Sequence, residues 1–179
     1  MALRATIFKL ELHVADMDRG YYGSHTLTLA RHPSETDERM MLRVLAFALY
    51  ANEDLSFTRG LSTTDEPALW EKDLTGSILN WIELGHPDER RLLQAAGKSG
   101  QVVVFCYGGH ASQVWWQGVQ SSVSRVPRLT VMSVAPATVQ ALAGLAQRNM
   151  TLHVTIQEGS VWVASKDDSV PVELDRWLS

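Results

Sequence analysis

Residues 6–14 follow a repeat of two. Phe8, Leu10, Leu12 and Val14 fall on one side of an extended chain, and Lys9, Glu11 and His13 fall on the other. A repeat of two predicts a strand with one buried face. Residues 25–30 alternate again, Leu27 and Leu29 against Thr26 and Thr28, and Asp16–Gly20 between the two stretches is turn chemistry. The pair therefore reads as an antiparallel hairpin or meander. The period then changes: Met40, Met41, Val44, Leu45, Ala48 and Leu49 recur at helical spacing through about Ala51. Ahead of them, Pro33-Ser34-Glu35-Thr36-Asp37-Glu38 predicts a helix start. Ser34 is its N-cap, Asp37 its third helical residue, and acids fill the first turn against the dipole.

Further along, Leu55–Leu61 is a short strand, 62–68 a polar loop, and Leu69–Lys72 is open between a helical turn and a strand. Ile78–Leu84 is a strand closed by Gly85. Pro87 suits the first turn of the next helix, Asp88 and Glu89 its positive end, and Gly97 its termination. Gln101–Tyr107 is an almost continuous apolar run, as in a strand covered on both faces. Gly108-Gly109 breaks it before a helix through Val114-Trp115-Trp116 to about Ser122. Leu129–Val134 is a strand and Pro136–Arg148 a helix. Leu152–Gln157 and Ser160–Ala164 form a hairpin around Glu158-Gly159, and the stretch from Val170 to Ser179 pairs at a sheet edge. Strands alternating with helices in the middle imply a central mixed sheet, partly parallel, with crossover helices. The reading is one α/β (mixed α+β) domain over residues 1–179, with flanking helices and an N-terminal β-hairpin.

Composition narrows the setting. No apolar run in the 179 residues approaches the ~20 needed to span a bilayer. The N-terminus lacks the apolar core of a leader. A single cysteine, Cys106, rules out an internal disulfide and suits a reducing cytosol, so a cytoplasmic address is expected. A net charge of −4 argues against a protein that coats nucleic acid, though a local basic rim around Arg59, Arg90 and Arg91 is compatible with it.

The candidate chemistry lies around the strand 78–84. Asp73 and Glu83 flank it, as the carboxylates do in metal-dependent nucleases of the PD-(D/E)xK type. Phosphodiester hydrolysis needs a hard cation, and Mg²⁺ takes a couple of carboxylates with waters and substrate oxygens completing its octahedron. Asp73 and Glu83 are therefore the candidate metal ligands, with Glu38 as a third acid. The lysine expected two residues after the second acid is Gly85 here. Lys98, Arg59, Lys72, Arg90, Arg91 or Gln101 would have to replace it. The structural alternatives are that Asp73 caps a turn, Glu83 is an exposed strand residue, and Glu38 serves the helix dipole. Trp115-Trp116 could stack bases, but neighbouring helix positions point ~100° apart, so at least one belongs to the core. Cys106 and His110 could pair as nucleophile and base, against the simpler reading of a buried strand cysteine. No P-loop, dinucleotide or G-x-S-x-G motif is present.

From end to end the chain resembles the YaeQ family of small bacterial proteins. The matching blocks are Met1-Ala-Leu-Arg-Ala-Thr-Ile-Phe-Lys9, Leu29-Ala-Arg-His-Pro-Ser-Glu-Thr36, Glu38-Arg-Met-Met-Leu-Arg43, Phe57-Thr-Arg-Gly-Leu61, Trp81-Ile-Glu-Leu-Gly85, Pro87-Asp-Glu-Arg-Arg91 and Trp115-Trp116. The resemblance implies a restriction-endonuclease-like core with a variant PD-(D/E)xK site, in which Asp73 and Glu83 match the acidic positions and Glu38 the helix acid. Two functions are compatible with it. One is Mg²⁺-dependent hydrolysis of a phosphodiester, in nucleic acid or a small phosphorylated ligand, with Lys98 or Arg59 supplying the missing cation. The other is a non-catalytic module that keeps the fold and binds a partner.

Overall fold

The computed structural model describes residues 4–59 and 65–178. Its elements in chain order are β1 (Thr6–Asp16), β2 (Tyr21–Arg31), α1 (Asp37–Leu49), β3 (Leu55–Phe57), β4 (Leu69–Lys72), β5 (Ile78–Leu84), α2 (Glu89–Lys98) and β6 (Ser99–Tyr107). They continue with α3 (His110–Val123), β7 (Leu129–Val134), α4 (Pro136–Ala143), β8 (Asn149–Gln157), β9 (Ser160–Ala164), β10 (Ser169–Val172) and β11 (Leu174–Leu178). The chain divides into two compact units, residues 1–52 with 137–173, and residues 53–136 with 174–179. No helix among the described residues is long and apolar enough to cross a membrane.

The mixed α+β class is as read from the sequence, but there are two sheets where one was expected. The first unit has the order β10-β9-β8-β1-β2. The N-terminal hairpin forms, from Thr6 opposite Arg31 to Asp16 opposite Tyr21. It belongs to this sheet because β1 pairs in parallel with β8 on its other edge. Alternation sends Leu10, Leu12 and Val14 of β1, with Met150, Leu152 and Val154 of β8, into the core, where α1 packs on β1. The other face carries Lys9, Glu11, His13, Thr151 and His153 to solvent or its edge.

α1 is buried from Met40 to Ala48. Its N-cap is Thr36 rather than Ser34, and Asp37 is its first residue. The Thr36 hydroxyl accepts from Arg39 N at 3.2 Å, whereas Ser34 Oγ is engaged with His32 Nδ1 at 2.7 Å. The helix ends at Leu49, two residues short of expectation. A buried ion pair closes its entrance: Arg43 Nη2 and Nε donate to the two Glu35 oxygens at 2.5 and 3.0 Å, and Arg39 Nη1 adds a third bond at 2.6 Å. Likewise α4 stops at Ala143, five residues early. Bonds that span only three residues, from Leu145 N to Leu142 O and from Ala146 N to Ala143 O, tighten the chain after it before β8 begins.

The second unit has the order β11-β7-β6-β5-β4-β3. β3, β4 and β5 are antiparallel neighbours, while β5, β6 and β7 run parallel, with α2 and α3 in the crossovers. Leu69–Lys72 is thereby resolved as a strand. The expected strand at 55–61 ends at Phe57, with Gly60 and Leu61 outside the described residues, as are 62–64 of the loop. β11 pairs antiparallel with β7 at the sheet edge, as expected of this stretch. Pro87 lies outside α2: Asp88 is the cap, its Oδ1 accepting from Arg91 N at 2.8 Å. Gly97 lies inside the helix, which runs one residue beyond it to Lys98.

Candidate functional site

β5 is where the sequence concentrated its acidic candidates, and its last four residues, Trp81, Ile82, Glu83 and Leu84, are all buried. Trp81 and Glu83 are two apart on a strand and so share a face. There the indole Nε1 of Trp81 donates to Glu83 Oε1 at 2.8 Å. α2 supplies the second donor. The Asp88 cap sets its phase so that Arg91 reaches back to β5, its Nε donating to the same Oε1 at 2.7 Å. Arg91 Nη2 continues to the backbone oxygen of Glu66 at 2.8 Å. One guanidinium thus ties β5, α2 and the segment before β4. Glu83 is not the exposed strand residue of the structural alternative.

Asp73 lies at the opposite end of the same strand. Its Oδ1 accepts from Thr75 N, Thr75 Oγ1 and Ser77 N at 2.8, 2.6 and 3.0 Å, closing the β4–β5 turn. Those bonds, first that from the Thr75 hydroxyl, hold its carboxyl below the ordinary aspartate range. From Ser77 to Glu83 is six residues, or roughly 20 Å of strand. Mg²⁺ holds its ligands at about 2.1 Å, so one ion cannot take both carboxylates. This corrects the paired-ligand expectation: the spacing was right for an acid at each end of a strand, and a strand keeps its ends apart.

Glu38 sits in the first turn of α1, where the helix dipole accounts for it. Lys98 is the exposed last residue of α2, with Nζ 6.0 Å from the Trp81 ring centroid. Arg59 contributes its backbone N–H, which donates to Glu66 Oε2 at 3.2 Å. Arg91, not Lys98 or Arg59, is the cation that meets Glu83. Among the described residues no group of three or more His, Cys, Asp and Glu side chains is arranged to hold a metal. The residues present therefore do not fit the Mg²⁺ centre that the resemblance implies.

Gly85 explains the absent lysine. Its φ is +98°, and a Cβ there would meet nothing within 4 Å. Conformation rather than space demands glycine at this position. The turn it makes brings up His86, whose Nε2 is 2.8 Å from Ser112 Oγ and whose ring stacks on Trp115 at 5.6 Å. Partial burial lowers the His86 pKa below the ordinary 6.5, and a hydrogen bond with the Tyr107 backbone acts the other way. Aromatic contact continues from Trp115 to Trp116 at 5.9 Å and from Trp116 to Trp177 at 6.1 Å. All three tryptophans are half-buried against the core. Cys106 is fully buried with its thiol pKa raised by that burial, and the exposed His110 is not its partner. Glu66, Ser112 and His86 were not singled out from the sequence. His86 alone carried a signal, following the glycine that ends β5.

The model of the family described as "YaeQ protein" matches residues 1–174. Two relatives bearing the description "Uncharacterized protein YaeQ" are similar throughout. That of Salmonella typhi is 46% identical over 177 residues, 99% of this chain and 98% of the relative. That of Escherichia coli (strain K12) is 45% identical over the same span. The crystal structure of YaeQ protein from Xanthomonas axonopodis pv. citri superposes with a TM-score of 0.95 at 46% identity, covering 98% of this chain and 99% of that one. YaeQ protein from Pseudomonas syringae gives 0.93 at 39% identity, with 98% and 97% covered. By full-length sequence and by structure, the chain belongs to the YaeQ family.

Proposed function

We propose that the protein is a non-catalytic binding module on a restriction-endonuclease-like core, in which the second acid of the nuclease pattern has become part of a structural ion pair. The observation that carries this reading is the state of Glu83. Its side chain is 8% exposed, and one carboxylate oxygen accepts from both Trp81 and Arg91. A carboxylate held in this way orients a guanidinium and an indole and offers little to a hydrated cation. The antiparallel β3–β5 and parallel β5–β7 arrangement supports the nuclease-like reading of the core.

The contact surface in this reading is the carboxyl end of β5 and β6, the side on which open α/β sheets hold their ligands. There the exposed His86 stacks on Trp115, the first of the half-buried tryptophans, and such rings anchor binding interfaces. A net charge of −4 favours a partner less acidic than nucleic acid.

The test is calorimetric titration of Mn²⁺ into wild type and Glu83→Gln, with a parallel assay of supercoiled DNA in Mg²⁺. The expected result is no cation site that depends on Glu83 and no cleavage above background. Saturable Mn²⁺ binding that Glu83→Gln abolishes, or cleavage that it abolishes, would overturn the proposal.

A further inference from the structure

The water-facing side of the first unit's sheet brings together two histidines 140 residues apart. His13 of β1 lies directly opposite His153 of the parallel neighbour β8. Their rings stack with centroids 4.7 Å apart at 19°. On its other side His13 faces Ser24 of β2, and its Nδ1 is 2.7 Å from the Ser24 hydroxyl. One rung across three strands therefore reads Ser24, His13, His153. It lies in an open depression of about 470 Å³, also lined by Ala15, Tyr22 and Thr155.

Imidazole is the commonest protein ligand for late first-row metals. Such ligands are typically held by a hydrogen bond at the ring nitrogen that does not bind the metal. Ser24 occupies the Nδ1 of His13 in that manner, which leaves Nε2 as the coordinating atom. His153 is exposed, so its ring can turn about its outer torsion, a soft rotation for histidine. Glu11 lies two residues before His13 on the same face, about 7 Å along the strand, and adds negative charge beyond the first ligands. Two neutral nitrogen ligands with waters suit copper or zinc and not Mg²⁺ or Ca²⁺, which require oxygen.

We propose that His13 and His153 form a two-imidazole site for a late first-row divalent cation of the copper–zinc class on this sheet face. The site is independent of Glu83 and of the function proposed above.

Cu²⁺, which binds most tightly in this series, is the probe. It is titrated into the full chain, with its visible d–d band and calorimetry as readouts. The expected result is one site per chain, weakened at least tenfold in His13→Gln and in His153→Gln alike. Ser24→Ala weakens it less, and His110→Gln and Glu83→Gln leave it unchanged. Circular dichroism and thermal melting without metal confirm that the variants fold, which the outward-facing positions of His13, Ser24, His110 and His153 favour. Equal Cu²⁺ binding by wild type and both histidine variants, or loss in only one of the two, refutes a shared site.

Discussion

Glu83 and Arg91, eight residues apart, meet at 2.7 Å with only 8% and 28% of their side chains exposed. The pair joins the end of β5 to the first turn of α2, so it acts as a clasp on the β5–α2 connection. Glu83→Ala leaves a partly buried guanidinium without its carboxylate. The expected loss is roughly 2–3 kcal/mol, below the ~3–5 kcal/mol of a fully buried pair because Arg91 keeps some water. Urea unfolding of Glu83→Ala, Arg91→Ala and the double variant checks this. Additive losses would mean that the two residues do not work as a pair.

The entrance to α1 should be more sensitive. Glu35 and Arg43 are 2% and 5% exposed, and Arg39 joins the same carboxylate. Glu35→Ala removes the anion that both arginines share, with an expected cost of about 3–5 kcal/mol. Arg39→Ala should cost less than half as much, since Arg43 keeps both Glu35 oxygens. Chemical denaturation of the two variants side by side gives the comparison, and equal losses would refute the assigned hierarchy.

Restoring the residue that the nuclease pattern expects should damage the protein without endowing it. Gly85→Lys forces a side chain into a backbone with φ +98° and should cost about 1–3 kcal/mol. It should acquire no Mn²⁺-dependent cleavage of DNA. Full stability in the variant would contradict the conformational account of this glycine, and acquired cleavage would contradict the clasp.

How much of this was legible beforehand differs between elements. β5 was read to the residue, because its apolar run ends on a glycine that the turn requires. The hairpin β1–β2 was legible for the same kind of reason, local alternation closed by turn residues. The pairing of β1 with β8 was not, because alternation states that a face is buried but not which strand lies alongside. Ser34 and Thr36 are both hydroxyl residues at a helix entrance, and Ser34 is taken up locally by His32, two residues before it, which leaves Thr36 as the cap. At the site, Glu83 was marked but its partner was hidden among three arginines of equal standing. Arg90 and Arg91 differ by ~100° of helix phase, and the cap at Asp88 turned Arg91 inward.

Acid should expose the role of Asp73 as a turn residue. Its hydrogen bonds lower its folded pKa below the ordinary 3.8, so it favours the folded state above that value. The contribution is lost as pH falls below 3.8 and through the folded value, because the unfolded chain takes up the proton first. Asp73→Asn should therefore flatten the acid limb of melting temperature against pH and leave neutral metal binding untouched. A ¹³C titration placing the Asp73 carboxyl at or above 3.8 would refute the assignment.

The parallel pairing of β1 with β8 has a consequence for how this protein is made. At the ribosome, the hairpin of residues 6–31 emerges with one long edge of β1 unsatisfied, and it waits there while more than a hundred further residues are synthesised. The sheet of residues 53–136 waits as well, since its edge partner is the segment 174–178. Both sheets are thus completed in the same late interval of translation, and until then each presents an open strand to which other nascent chains can add.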